Sequence, residues 1–273
     1  MSKKKFTILT LFPQAFNDFS NTSIIKRAIQ DQKIAVEVVN IRDFCEDKNK
    51  QVDDYPYGGG AGMVLKALPV IKAIEHAKID NANAKVILLS PQGKLWTQEQ
   101  AFSFAKADTN YILVCGHYEG IDERIIKFVD QEISIGDYVV TGGEIPAMIL
   151  VDSITRLVEG VINSDSIANE SHTDNLLDYP TYTRPEVIYD MKVPEVLLSG
   201  NHKEIELYRK TQSLINTYKK RIDLFNKHQL TKEEEKIIKN YQDSLENKNL
   251  TQERSKEDGK SNYGESKQKP NKS

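Results

Sequence analysis

Tyr111-Ile112-Leu113-Val114-Cys115-Gly116-His117-Tyr118-Glu119-Gly120-Ile121-Asp122-Glu123-Arg124 starts as an apolar β-like run and stops at a glycine. The first five residues suit a strand, and Gly116 punctuates its end. In an open α/β sheet, ligands bind beyond the carboxyl ends of the strands, and residues 116–124 occupy such an end. The acids Glu119, Asp122 and Glu123 equally suit a solvated helix start whose dipole favours negative charge. From these residues alone both readings stand.

Outward from this stretch, the same kind of strand recurs at 6–11, 35–41 and 86–89. Amphipathic helical patterns lie between the strands, at 23–32, 70–78 and 97–106. Thr97 with Gln100 makes a capping box for the last of these. Alternation of this kind predicts a mostly parallel sheet with helices on its faces. A further helix fits 145–158, with Pro146 in its first turn, where a missing N–H costs least, and Glu144 near the positive end of the dipole.

After Gly160 the periodicity is lost, and 161–180 reads as an interdomain linker or loop. Helical character then resumes. Residues 202–225 carry one apolar face, and Thr231 with Glu234 caps a last helix running through Leu245. The expected organisation is an α/β domain over 1–160, the linker over 161–180, and a small all-helical domain over 181–246. A polar tail over 247–273 holds too few apolar residues to offset its ordering entropy, so disorder is expected there. No internal repeat is present.

The chain has 273 residues, 39% of them hydrophobic, and a formal net charge of −3. That balance excludes indiscriminate coating of nucleic acid, although a local basic groove needs only well-placed Lys and Arg. Cys45 and Cys115 are too far apart for a metal-ligand spacing, and two cysteines make no disulfide framework, which fits a reducing cytosol. The apolar stretch at 6–12 is too short for a signal peptide and is stopped by Pro13. No run approaches the roughly 20 apolar residues needed to span a bilayer. A soluble, cytoplasmic protein is expected.

Nine of the fourteen glycines fall in three clusters: Gly58, Gly59, Gly60 and Gly62; Gly116 and Gly120; and Gly136, Gly142 and Gly143. Clustered glycines after strands mark places where backbone comes close to something or takes positive φ. The first cluster lacks the Gly-Lys-Ser/Thr of a phosphate loop, and Met63 replaces the third glycine of a dinucleotide fingerprint. A flexible hinge competes there. The third lies in an apolar stretch leading into a helix, a composition that suits a flat adenine with backbone groups along its edge.

Taken in order, these segments resemble the bacterial tRNA (guanine-N1)-methyltransferases of the knotted SPOUT class. The resemblance is carried by 52–63, 89–93, 115–124, 134–146, Asp152-Ser153 with Arg156, Tyr182-Thr183-Arg184-Pro185-Glu186, and 193–202. It runs from the first strand to about residue 245. It implies an α/β fold of SPOUT type, with a deep trefoil knot closing the first domain and a helical domain after it. It also implies a homodimer with the active site at the interface, and S-adenosylmethionine as cofactor. The substrate implied is the anticodon stem-loop of tRNA, at the guanosine 3′ of the anticodon and preceded by another guanosine.

The cofactor residues implied by the resemblance are Leu89, Ser90 and Pro91, then Gly116 and Tyr118, then Ile135, Gly136, Asp137, Tyr138, Val139, Val140, Gly142, Gly143 and Pro146. Guanine N1 carries a proton, so methylation needs a base and stabilisation of charge on O6. By the same resemblance Arg156 faces O6, with the fixed donor fork of a guanidinium. Without it, an arginine capping helix carbonyls is the plainer reading. Glu170, before Ser171, stands where the family places an aspartate base, in a linker about one residue shorter. The added methylene moves the carboxylate by roughly 1 Å. Asp174 is the fallback base, and Glu119 contacts the guanine edge or shapes the pocket. Tyr118 and Tyr138 wall the site, and Asp53 and Asp54 are left open as tRNA- or metal-facing groups.

Magnesium assistance is implied by the family without any ligand cluster in the sequence, and no metal ligand is assigned. Arg184, Lys203, Arg209, Lys210, Lys219, Lys220 and Arg221 are the expected phosphate contacts, though a charge run is more often a solvated helix face. Neither DNA nor membrane is expected as a partner. Two rivals remain: a knotted tRNA-binding protein with weakened or lost catalysis, and a nucleotide-binding enzyme using the Gly58–Gly62 loop.

Overall fold

The computed structural model describes residues 3–163, Ser171 and 175–261, those after Glu246 as backbone alone. The chain divides into two compact units, Met1–Ala168 and Asn169–Ser273.

The first unit is built on five strands: β1 (Lys4–Thr10), β2 (Ile34–Asn40), β5 (Lys85–Leu95), β6 (Tyr111–Cys115) and β7 (Gln131–Ser134). They lie in the order β2-β1-β6-β5-β7, and every pairing is parallel. A separate two-residue ladder joins β3 (Asp53–Asp54) to β4 (Val64–Leu65). The helices are α1 (Asn17–Ser20), α2 (Ser23–Gln30), α3 (Ala67–Ile79), α4 (Gln98–Lys106) and α5 (Glu144–Thr155).

Side chains alternate across the sheet and split the core in two. Ile87, Leu89, Tyr111, Leu113 and Cys115 pack with α2, α4 and α5, whereas Val86, Leu88, Ile112 and Val114 pack with α3. Every residue of β6 is buried, at 2% exposure or less. A sheet covered on both faces therefore needs the unbroken apolar run that this strand supplies, each such side chain contributing about 1.5–3 kcal/mol.

The expected parallel α/β sheet is present, with two local differences. β5 does not stop at Leu89. It bulges through Ser90-Pro91-Gln92-Gly93 and returns to β7 at Lys94 and Leu95. β7 escaped the sequence reading because only Ile133 among its four residues is apolar. The Thr97–Gln100 capping box forms as expected.

In the second unit, β8 (Val187–Ile188) and β9 (Met191–Lys192) make a hairpin, so this unit is not all-helical. Its two-residue turn, Tyr189-Asp190, needs a left-handed residue, and Tyr189 takes φ 52°. The apolar stretch read as one helix over 202–225 is two: α6 (His202–Lys220) and α7 (Ile222–Phe225). Arg221 breaks it at φ −142°, its guanidinium pairing with Asp223 at 2.8 and 2.6 Å to start the second helix. The last helix, α8 (Lys232–Ser261), continues past Leu245 into the stretch expected to be disordered. Its Glu, Lys and Gln content favours helix locally even where apolar residues are few. Leu214, Phe225 and Ile238 form the small core of this unit.

Candidate active site

The carboxyl ends of β5, β6 and β7 enclose a cavity of about 420 Å³, and the three glycine clusters shape its surroundings. Gly143 N–H donates to the Gly116 carbonyl at 2.8 Å, fastening the approach to α5 onto the end of β6. The first cluster is clipped to the second: Glu119 N–H donates to Met63 O at 3.1 Å and Leu65 N–H to Gly120 O at 3.0 Å. Gly58–Gly62 is therefore part of the site's surroundings, with φ between 76° and 137° at its four glycines. Tyr118 itself takes φ 64°, a left-handed turn in the loop after β6.

The sequence-predicted cofactor residues mostly converge here. Leu89, Ser90 and Pro91 from the β5 bulge, Gly116 and Tyr118 after β6, and Ile135, Tyr138, Val139, Val140, Gly142, Gly143 and Pro146 all line the cavity. Gly136 and Asp137 do not. Gly136 turns the chain at φ 156°, where a Cβ would meet the Tyr138 ring at 2.3 Å, and Asp137 is exposed. Glu119 lines the cavity, and its side chain fills the space a Cβ on Gly62 would need.

Arg156 stands at the C-terminus of α5, its N–H donating to Asp152 O at 3.1 Å. Glu170 and Asp174 lie outside the described residues. Asp53 and Asp54 sit in the β3–β4 ladder, off the cavity lining, with Asp54 3.9 Å from Lys66. Among the described residues, no group of three or more His, Cys, Asp or Glu side chains could hold a metal ion. No helix among them is long and apolar enough to cross a membrane.

Part of the basic set is engaged within its own unit. Lys210 lies 3.3 Å from Glu234, Arg221 pairs with Asp223, and Arg209 stacks over Tyr179 at 5.0 Å. Lys203, Lys219, Lys220 and Arg184 are exposed.

Sequence reasoning did not single out His117, Thr141 and Ile121, which also line the cavity, nor the partly buried bond from Thr10 Oγ to Glu144 Oε1 at 2.7 Å. His117 stood in view inside the decisive stretch, but no sequence signal links it to Phe12, whose ring lies 4.9 Å away. Burial, and secondarily the Glu144 carboxylate, push the Cys115 thiol well above its ordinary range. Cys115 is thus a packing residue, not a nucleophile.

A parallel sheet of this order, with a glycine-walled cavity at its carboxyl edge, is an α/β architecture, and the family match places it in the SPOUT type. The family described as tRNA (Guanine-1)-methyltransferase TrmD matches residues 4–227. A tRNA (guanine-N(1)-)-methyltransferase of Malacoplasma penetrans is 54% identical over 224 residues, covering 82% of this chain and 98% of the relative. Its namesake in Spiroplasma kunkelii is 52% identical over 85% of this chain and 86% of its own length. That of Caldanaerobacter subterraneus subsp. tengcongensis is 52% identical over 86% and 97%. The chain belongs to the tRNA (guanine-1)-methyltransferase family.

Proposed function

We propose that this chain transfers the methyl group of S-adenosylmethionine to N1 of the guanosine 3′ of the tRNA anticodon, a modification that maintains reading frame. The observation that carries the reading is the cavity at the strand ends. The residues present fit the donor. A Cβ on Gly143 would lie 2.5 Å from Cys115 Cα, so the slot's back wall is bare backbone. Irregular backbone at 138–142 leaves N–H and C=O groups for a purine edge, and Tyr138 and Val139 are exposed beside it at 57% and 83%.

Bound there, S-adenosylmethionine supplies an electrophilic methyl on a sulfonium. The chain's own task is to orient guanine, remove the N1 proton and stabilise charge on O6. Arg156, always charged, is the O6 donor in this reading. Glu170 takes the proton, with Asp174 as the alternative, and Glu119 borders the purine. Exposed basic residues of the second unit, Lys203, Lys219 and Lys220 among them, suit the anticodon stem. Ile145 and Ile149, left 54% and 40% exposed on α5, suit burial against a second copy. The protein works in this reading as a cytoplasmic homodimer whose site is shared between protomers, with the knotted threading of its class.

The test is methyl transfer from labelled donor to tRNA transcripts carrying guanosine or adenosine at the target. Guanosine should be methylated and adenosine not; equal methylation of both would rule out the base-specific chemistry. Glu170→Gln should lower the rate by at least roughly a hundredfold, the usual worth of a general base. Near-normal activity there, with loss in Asp174→Asn, would move the role to Asp174.

A further inference from the structure

One polar atom beside the cavity lacks a partner. His117 lines the cavity, and its Nδ1 is buried without a hydrogen bond. Its ring packs against Phe12 at 4.9 Å and edge-on to Tyr118 at 5.0 Å, and leaving its buried nitrogen unpaired carries a desolvation cost. That nitrogen faces Gly142. A Cβ placed on Gly142 would lie 2.7 Å from His117 Nδ1 and 2.4 Å from Glu144 Oε2. The imidazole nitrogen and the carboxylate oxygen thus approach the same side of one glycine, and any other residue there would separate them.

The carboxylate is already aimed. Glu144 Oε1 accepts from Thr10 Oγ at 2.7 Å, and Thr10, fully buried, accepts from Phe12 N–H at 2.9 Å. With Oε1 held, Oε2 is the oxygen left to face His117. The backbone bond from Gly143 to Gly116 joins the same two segments a residue away. A side-chain bond between His117 and Glu144 would be a second tie across the slot, fixing the imidazole tautomer as a carboxylate does for many active-site histidines.

We propose that His117 is a positioning residue for the donor slot: with the slot filled, Nδ1–H donates to Glu144 Oε2, and the Thr10–Glu144–His117 chain sets the separation between the loop after β6 and the start of α5. This rests on the reading of the cavity as the methyl-donor site. It assigns work to Gly142 as well, whose bare Cα is what lets the pair meet.

The test uses the full chain labelled with ¹⁵N at histidine and titrated with S-adenosylhomocysteine. In the wild-type complex His117 should report the Nδ1–H tautomer. Glu144→Gln, which can turn an amide N–H toward Nδ1, should shift it to the Nε2–H tautomer. The same variant should bind about five- to tenfold more weakly, the effect of losing one charge-assisted hydrogen bond. His117→Asn keeps a nitrogen donor in the Nδ1 position and should bind within about twofold of wild type, whereas His117→Phe should bind as weakly as Glu144→Gln. An Nε2–H tautomer in the wild-type complex, a His117→Phe protein of wild-type affinity, or an Asn variant no better than Phe would each overturn the inference. If His117→Phe does not fold, the tautomer and affinity of Glu144→Gln decide. Failure of folded wild-type protein to bind S-adenosylhomocysteine at all would instead overturn the donor reading.

Discussion

Gly143 has φ −77° and ψ −4°, a backbone that any residue can adopt. What it needs is room. A Cβ there would meet Cys115 Cα at 2.5 Å and Gly116 N at 2.8 Å, both rigid, whereas one on Gly116 would meet the mobile tip of Ile121 at 3.2 Å. Gly143→Ala should therefore force α5 away from β6, costing about 1–3 kcal/mol and lowering donor affinity more than Gly116→Ala does. Calorimetric titration with S-adenosylhomocysteine, alongside thermal midpoints, checks the order of the two variants. Equal effects would remove the crowding argument. The glycine clusters themselves were visible in the sequence, because their spacing after strands is unusual. Whether a glycine supplies positive φ, as Gly62 does at 76°, or space, as Gly143 does, depends on neighbours distant in sequence. For the same reason Gly136 and Asp137 could not be told from the lining residues beside them.

Elements were legible where their signals are local. Both capping boxes form: Gln100 N–H donates to Thr97 Oγ at 3.3 Å, and Glu234 N–H to Thr231 Oγ at 3.3 Å. The end of α6 and the existence of β7 were not, since one depends on an Arg221–Asp223 pair and the other on strand pairing with β5. The second box makes a pH prediction. Burial alone would raise the Glu234 carboxyl, but hydrogen bonds from Thr231 and Lys210 outweigh it and hold the group below its ordinary value of 4.5. A carboxyl depressed by folding stabilises the folded state above the unfolded value, and that contribution is lost as pH falls through the folded one. Glutamine at this position can keep the cap yet cannot attract Lys210, which lies 3.3 Å away. The stability gap between wild type and Glu234→Gln, about 1 kcal/mol or less at neutral pH, should therefore close below pH 4.5. Midpoints measured across that range decide it; a gap that persists in acid would assign the difference to packing.

At the scale of the whole molecule, the proposed donor slot and the proposed base come from different stretches of the sequence. The cavity is lined by residues of the first unit alone, and Glu170 stands later in the sequence than any of them. If the working site joins the slot of one protomer to the linker carboxylate of its partner, two crippled proteins should rescue each other. Gly143→Val distorts the slot by prying α5 from the end of β6, since its Cβ alone would press on Cys115 and Gly116. Glu170→Gln leaves the slot intact and removes the base. Each homodimer should be nearly inactive. A mixed dimer pairs the intact slot of the Glu170→Gln protomer with the intact carboxylate of the Gly143→Val protomer, giving one complete site in two. Purified through two different tags and assayed for methyl transfer to tRNA, it should recover about half the wild-type rate, as independent sites require. Activity no higher than that of the two homodimers would mean that each protomer supplies both groups to its own site, and the shared-site arrangement would have to be abandoned even if methyl transfer itself holds.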